Sequence, residues 1–313
     1  MAQRPLVYVL EPIAPGAIAI LERCCDIVPP DDPRRSHWPD DADAVIVRTS
    51  RIDADGIAAA RRLKVIGKHG VGVDNIDLDA ARGRGIAVIS TPGANANAVA
   101  ELAVGLALAV ARRIALQDRH LRQGGPLIRS ELGFELTGRT IGVIGLGAVG
   151  RRTAALFRAA FGGPVLGYDP YAPEPAWIDA GIERCVELET LLERADIVTV
   201  HAPLTPATTN MIDAAGLARM RPGAILLNLA RGGVVDEAAL YDALTAGRLG
   251  GAASDVFVAE PPAPDHPLLS LANFVATSHI GAATRESMDR MGDAVVAGVL
   301  AVLEGREPDH RVV

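Results

Sequence analysis

The sequence predicts an α/β protein built from two doubly wound, parallel-sheet domains, one of them discontinuous. Three observations predict it. Short Val/Ile/Leu-rich runs alternate with Ala-rich helical stretches throughout the 313 residues, which is the rhythm of βαβ units. That rhythm occurs twice, with a polar break between the two series. The chain is also longer than the roughly 250–300 residues at which a single core stops growing. Apolar residues make up 49% and charged residues 22%, while aromatics are only 4%. Ala, Val, Leu and Ile therefore carry the core, as suits parallel sheets covered by helices. A net charge of −7 and the lack of any Lys/Arg-rich run leave no basic footprint, so nucleic acid is not an expected partner.

The first series offers strands at Leu6–Leu10, Ala44–Val47, Lys64–Ile66 and Ile86–Ile89. In MAQRPLVYVLEP the apolar run is only five residues, which reads as a first strand rather than a signal peptide. Next comes a helix expected over Asn97–Gln117, with Glu101 in its first turn and Arg112-Arg113 near its end, as the helix dipole favours. Its apolar run Leu102–Ala111 is well short of the roughly 20 residues of a membrane span, so a soluble, cytoplasmic protein is expected, with no membrane partner. Gln123-Gly124-Gly125-Pro126 then ends any helix, and a polar connector leads to Thr140. The second series is Thr140–Ile144, Val165–Tyr168, Ile197–Val200, Ala224–Leu227, Gly251–Ala253 and Phe274–Thr277, followed by a last helix over Glu286–Leu303. Both long helices would be crossings between domains. The expected division is therefore 1–96 plus 286–313 for the first domain and 97–285 for the inserted one. Cys24, Cys25 and Cys185 show no metal-ligand spacing, and a disulfide between neighbours would be strained. They read as reduced, small hydrophobes, and no metal is expected.

Function begins to show at TIGVIGLGAVG. A strand ends in Gly145-Leu146-Gly147-Ala148-Val149-Gly150, and an amphipathic helix, Val149–Phe161, follows. This is the dinucleotide fingerprint in its required context, with a tight turn at Gly145, pyrophosphate approach at Gly147 and close packing at Gly150. The next strand ends in Asp169, nineteen residues past the third glycine. A carboxylate at about that spacing accepts from the adenosine ribose hydroxyls and repels a 2′-phosphate. The expected cofactor is NAD.

Further residues collect beyond strand ends, where open α/β sheets bind ligands. Arg231 stands with Gly232-Gly233 where strand Ala224–Leu227 runs out, ahead of a helix over Asp236–Leu244 capped by Asp236. Asp255 and Glu260 follow Gly251–Ala253, and His279 precedes Ile280-Gly281.

At this point the chain resembles the D-isomer specific 2-hydroxyacid dehydrogenase family over nearly its whole length. The resemblance rests on GVGVDNID (Gly70–Asp77), NANAVAEL (Asn95–Leu102), GLGAVG (Gly145–Gly150), HAPLTPAT (His201–Thr208), NLARGGVVDE (Asn228–Glu237), SDVFVAEPP (Ser254–Pro262) and HIGAAT (His279–Thr284). It implies two Rossmann-like domains with a cleft between them, the smaller domain discontinuous and flavodoxin-like. It also implies an NAD-dependent exchange between a small 2-oxo acid and its D-2-hydroxy acid. In that scheme Arg231 holds the substrate carboxylate and carbonyl, Glu260 orients His279, and His279 is the acid/base. Asp255 would contact the nicotinamide carboxamide. His201 and Pro203, with Thr208, Leu229, Ala230 and Gly281, would line the cofactor pocket. Val71 and Gly72 would hold the substrate carboxylate through backbone N–H groups, with Asn95 a further substrate contact. The chemistry agrees, because keto reduction needs a hydride and a proton for the developing alkoxide. An imidazolium supplies the proton near neutral pH, and a planar guanidinium suits a carboxylate beside a carbonyl. Gly232 and Gly233 would remove side chains where substrate and cofactor approach Arg231.

Within the family, VGVDNIDLDAA, LARGGVVDEAAL and HIGAAT look most like the 3-phosphoglycerate and hydroxypyruvate branch. Hydroxypyruvate, glyoxylate and 3-phosphohydroxypyruvate are the expected substrates. Arg48 in VIVRTS matches an arginine near the substrate's far end, although the following loop is one residue shorter. The connector RQGGPLIRSELG lacks the tryptophan usual after its glycine. No C-terminal regulatory domain is expected, and so no feedback through one. The resemblance also implies a homodimer through Asn97–Gln117 and the connector. His69, beside the substrate loop, takes no role from it. The alternative is a non-enzymatic NAD(H)-binding regulator of the same fold, against which the set Arg231, Glu260 and His279 argues. Formate dehydrogenases typically carry glutamine where Glu260 stands.

Overall fold

Residues 4–125, 130, 132–178 and 181–313 are described by a computed structural model. The chain divides into two compact units, Met1–Asn95 with Ala282–Val313, and Ala96–Gly281.

In the first unit, strands β1 (Leu6–Val9), β2 (Asp26–Val28), β3 (Ala44–Val47), β4 (Val65–Lys68) and β5 (Ala87–Ile89) pair in parallel in the order β2-β1-β3-β4-β5. This is the flavodoxin-type winding, which reverses between β1 and β3. The run Ala-Val-Ile-Val of β3 is buried at every position, because helices cover both sheet faces. Alternate residues serve the two faces: Val7, Val9, Ile46 and Val65 pack on one side, Tyr8, Val45, Val47 and Ile66 on the other. The helix Arg285–Leu303 brings Val295, Val296 and Val299 onto the first of these faces. Burying each such side chain contributes about 1.5–3 kcal/mol, which is why the last helix belongs to the first unit's core.

In the second unit, strands β6 (Ile141–Ile144), β7 (Val165–Tyr168), β8 (Glu183–Arg184), β9 (Ile197–Val200), β10 (Ile225–Asn228), β11 (Gly251–Ser254) and β12 (Phe274–Ala276) form one parallel sheet. Their order is β12-β11-β10-β9-β6-β7-β8, so the winding reverses between β6 and β9. Helices Ala96–Ala111 and Ala148–Phe161 cover one face over Val143, Ile197, Ile225 and Leu227. Helices Leu188–Arg194, Ala214–Arg219 and Glu237–Thr245 cover the other over Val198, Val200 and Leu226.

Three expectations change. The edge strands β2 and β8 were not among the expected elements; Asp26 is exposed in β2 and both residues of β8 are exposed. Pairing on one side only, they need no apolar run. The helix expected over Asn97–Gln117 is two helices, Ala96–Ala111 and Ile114–Arg122, broken where Arg113 adopts φ 54°. Six of the eight buried residues in the first of them (Val99, Ala103, Leu106, Ala107, Val110 and Ala111) pack in its own unit's core with the sheet and the helix Ala148–Phe161, so most of its buried apolar face is accounted for within that unit. The part of the connector at 126–129 and 131 lies outside the described residues. Among the described residues, no helix is long and apolar enough to cross a membrane.

Candidate active site

Each site residue of the second unit stands at or just past the C-terminal end of a parallel strand. Gly145 follows β6 and turns the chain with φ +86°. A Cβ on Gly150 would lie 1.9 Å from the Gly145 carbonyl oxygen, so this glycine is required chiefly by the turn itself. Gly147 caps the helix Ala148–Phe161 without a side-chain hydrogen bond, and a Cβ there would meet nothing within 4 Å. The helix start therefore has no side-chain cap and has open space where a side chain would stand at Gly147, which fits a pyrophosphate. The residues present therefore fit a dinucleotide. Asp169, past β7, accepts from the Leu146 N–H at 2.8 Å and from the Tyr171 N–H at 2.8 Å. It ties the second strand's end to the glycine turn, with Ala148 and Val149 opening the helix beside it.

Past β9, His201 Nε2 lies 3.0 Å from Thr199 Oγ1. Burial pushes the pKa of His201 down to about 3, which keeps the ring neutral and unfit as an acid at neutral pH. Thr208 Oγ1 donates to the Pro203 carbonyl at 2.6 Å and accepts from the Thr205 N–H at 2.8 Å, closing the loop.

At the end of β10, Asn228 holds the loop bearing Arg231, a role the sequence did not disclose. Its Oδ1 accepts from the Ala230 N–H and its Nδ2 donates to the Arg231 carbonyl, both at 3.1 Å. Leu229 and Ala230 are buried, and half-buried Arg231 donates through Nη1 to the Ala230 carbonyl at 2.7 Å. The glycines need a correction. A Cβ on Gly232 would sit 2.0 Å from the Phe257 carbonyl oxygen, and Gly233 has φ +81°. Backbone packing and conformation account for them, with no need of an approaching ligand.

Past β11 and β12 stands the central pair. Glu260 Oε2 accepts from His279 Nδ1 at 2.8 Å, and Oε1 accepts from the Phe257 N–H at 3.0 Å. His279 takes φ 54°, a left-handed conformation that costs a non-glycine residue about 1–2 kcal/mol. Asp255 holds it there. Its buried carboxylate accepts from Thr277 Oγ1 at 2.6 Å and from the N–H groups of Ile280 and Gly281 at 2.8 Å, while its carbonyl takes the His279 N–H at 2.8 Å. With Nδ1 committed to Glu260, Nε2 is the ring nitrogen left for any other partner.

In the first unit the strand-end loops are held by a residue that sequence reading missed. Glu11, past β1, accepts from the N–H groups of Arg48 and Thr49 at 2.9 Å, from Ser50 N–H, and from Thr49 Oγ1. Burial works to raise its pKa, but these donors outweigh that and hold the carboxyl below the usual carboxylate range. Arg48 donates through Nη1 to the Pro12 carbonyl at 3.2 Å. Lys68 Nζ donates to the Arg48 carbonyl and to Asn75 Oδ1. Val71 is exposed and Gly72 half-buried in the loop past β4, which Thr91 Oγ1 ties to the Gly70 N–H at 3.1 Å. His69 is buried, and burial first, then the Arg48 charge, lowers its pKa to about 4. Asn95 ends the unit's first segment, half-buried, with Oδ1 shielded and unpartnered.

A seven-stranded sheet with a glycine turn at its winding reversal, and a carboxylate–imidazole pair further along the same edge, defines a dinucleotide-binding α/β protein. Comparison makes the class specific. The model of the family described as D-isomer specific 2-hydroxyacid dehydrogenase, NAD binding domain, matches residues 104–281. The chain belongs to this family, and its cofactor is NAD. It is 42% identical over 305 residues to a D-3-phosphoglycerate dehydrogenase of Mycobacterium tuberculosis, covering 96% of this chain and 57% of that protein. It is 43% identical over 267 residues to a hydroxypyruvate reductase of Thermotoga maritima, covering 84% and 85%. The crystal structure of the TT0316 protein from Thermus thermophilus superposes with a TM-score of 0.87 at 39% identity, covering 98% of this chain and all of that one. The chain spans a little over half the length of the phosphoglycerate dehydrogenase it matches.

Proposed function

We propose that this chain is an NAD-dependent oxidoreductase that interconverts a small 2-oxo acid and its D-2-hydroxy acid, with His279 as the acid/base. The observation that carries this reading is the 2.8 Å contact of His279 Nδ1 with Glu260 on the dinucleotide-binding sheet. When bound, NADH supplies the hydride for the keto carbon, and the proton must come from the protein. In reduction His279 gives the Nε2 proton to the developing alkoxide; in oxidation the neutral ring takes it back. Glu260 fixes the ring's orientation through its contact with Nδ1. Arg231 pairs its guanidinium with the substrate's carboxylate and carbonyl. The Gly145–Gly150 turn takes the pyrophosphate and Asp169 the adenosine ribose. Leu229, Ala230, His201, Pro203, Thr208 and Gly281 line the nucleotide's path. Asp255, with a single donor on Oδ2, retains capacity to accept from the carboxamide.

In the first unit Val71 and Gly72 take the substrate carboxylate through their N–H groups, Asn95 is a further contact, and Arg48 faces the substrate's distal end. The names of relatives support hydroxypyruvate, glyoxylate and 3-phosphohydroxypyruvate as the substrates to try. We read the functional domains as 1–96 plus 286–313 for substrate and 97–285 for NAD, the protein as cytoplasmic, and the assembly as a homodimer. Exposed Ile114 and Leu121 on the helix Ile114–Arg122 support that assembly, and a monomer in sedimentation at micromolar concentration would reject it. The test of function is a panel of these 2-oxo acids with NADH. Turnover of at least one is expected, and turnover of none would overturn the reading.

A further inference from the structure

A second carboxylate–histidine pair lies behind the first, and nothing so far has given it a task. Glu237 opens the helix Glu237–Thr245, six residues after Arg231. Its Oε1 accepts from the Val258 N–H at 2.8 Å, and its Oε2 meets His266 Nε2 at 3.1 Å. The His266 ring stands edge-on to the Phe257 ring, with centroids 5.4 Å apart. Both ionisable side chains are about four-fifths buried. Two successive backbone N–H groups are therefore taken by two carboxylates: Phe257 by Glu260, Val258 by Glu237. The same stretch of backbone rests on Gly232, where a Cβ would overlap Phe257 and Val258 atoms.

We propose that Glu237 and His266 are positioning residues for the acid/base pair: they hold the Phe257–Val258 backbone from which Glu260 is aimed at His279. Glu260 has one oxygen on the Phe257 N–H and the other on His279. Any rotation of the 257–258 peptides therefore moves the carboxylate off the imidazole. Glu237 opposes that rotation from the helix that follows the Arg231 loop, while His266 holds the Glu237 carboxylate and braces the Phe257 ring. The pair thus couples the arginine loop to the acid/base loop through one carboxylate. The plainer role, a first-turn glutamate that favours the helix dipole, would leave Glu260 and His279 undisturbed. This proposal rests on the acid/base reading of Glu260 and His279.

The experiment has an arm that needs no turnover. In protein labelled with nitrogen-15 histidine, ring-nitrogen NMR reports which nitrogen of neutral His279 carries the proton, with the signal assigned by its loss in His279→Asn. The Glu260 carboxylate should lock the Nδ1–H tautomer in the wild type. Glu237→Ala should release it toward the Nε2–H form that a free imidazole prefers. Glu237→Gln should keep it, since an amide can accept from Val258 and donate to the other tautomer of His266. In the kinetic arm Glu237→Ala should lower kcat for keto reduction roughly 10- to 100-fold, as expected for losing a charged hydrogen-bond partner, with NADH affinity unchanged. In a Glu260→Gln background the same change should cost far less, because the two act as one unit. A milder substitution, His266→Phe, keeps the ring contact and should give a smaller shift in the same direction. If Glu237→Ala lowers the melting temperature yet leaves the tautomer and kcat as in the wild type, the positioning role is wrong. If the wild type reduces no 2-oxo acid, the acid/base reading falls, while the tautomer arm still decides whether Glu237 aims Glu260 at His279.

Discussion

Glu11 in the first unit and Asp255 in the second do the same work on different loops. Each stands just past a parallel strand, and each gathers backbone N–H groups from the loop after the neighbouring strand. Parallel sheets invite this device. All strand ends face one way, so donors of adjacent loops converge there without intrinsic partners. The difference lies in what the gathered loop contains. The loop Arg48–Ser50 has ordinary negative φ throughout, whereas the loop held by Asp255 carries His279 at φ 54°. Strain is thus found in the loop that carries the imidazole paired with Glu260 and is absent from the loop that carries Arg48.

The largest expected effect tests that contrast directly. His279→Asn should cost roughly 10²–10⁴ in kcat for keto reduction, the range for a lost general acid. Asparagine tolerates left-handed backbone, so the melting temperature should not fall. A melting temperature lowered by several degrees would mean that His279 was not strained, and the comparison would break. Asp255→Ala comes next. It leaves three donors unsatisfied, two of them backbone N–H groups, and should cost about 3 kcal/mol or more of stability by thermal melting. It should also lower kcat by about tenfold or more, because His279 is then free to leave its conformation. A variant that loses stability but keeps full kcat would show that Asp255 closes its loop as Glu11 does and aims nothing.

Much of the site was legible because its residues are fixed by short-range pattern. A glycine turn between strand and helix, a carboxylate one βα unit later, and Arg231, Glu260 and His279 past strand ends all lie within local motifs. Glu11, Asn228 and the Glu237–His266 pair were not legible, because their meaning is in contacts. Glu11 reaches a loop 37 residues away and Glu237 reaches His266 across 29, and no local period encodes such distances. Gly232 was legible as a glycine but misread, since the carbonyl that excludes its side chain comes from Phe257. The strands β2 and β8 failed for another reason. An edge strand buries too little to need an apolar run, so no period marks it. The helix break at Arg113 carries no glycine or proline to announce it.

A third strand-end carboxylate sharpens the comparison from the nucleotide side. Asp169 gathers the Leu146 N–H, as Glu11 and Asp255 gather theirs, but it also meets the cofactor in the proposed function. The wild type should prefer NADH over NADPH at least tenfold in kcat/KM, about 1.4 kcal/mol. Asp169→Ala should narrow that gap, since the charge opposing a 2′-phosphate is gone. Equal use of both cofactors by the wild type would leave Asp169 a loop tie only.

The smallest effect is expected at Glu11, and it isolates loop closure from nucleotide binding. In the folded chain its carboxyl sits below the ordinary 4.5, because the donors of Arg48, Thr49 and Ser50 outweigh the cost of burial. Between that lowered value and the ordinary one, the unfolded chain binds more protons than the folded chain, so stability rises with pH across this window. The Glu11 contribution is therefore fully present above the ordinary value and is lost as pH falls through the lowered one. Glu11→Gln keeps the shape but offers one accepting oxygen in place of two, and should cost about 1–2 kcal/mol at neutral pH. The melting-temperature difference between wild type and variant should then shrink as pH is taken below the ordinary carboxylate range. NADH affinity should not move, since every residue proposed to hold the nucleotide lies in the other unit. A difference that stays constant with pH would mean that the donors do not hold a charged carboxylate, and the likeness between Glu11 and Asp255 would fail on its electrostatic half.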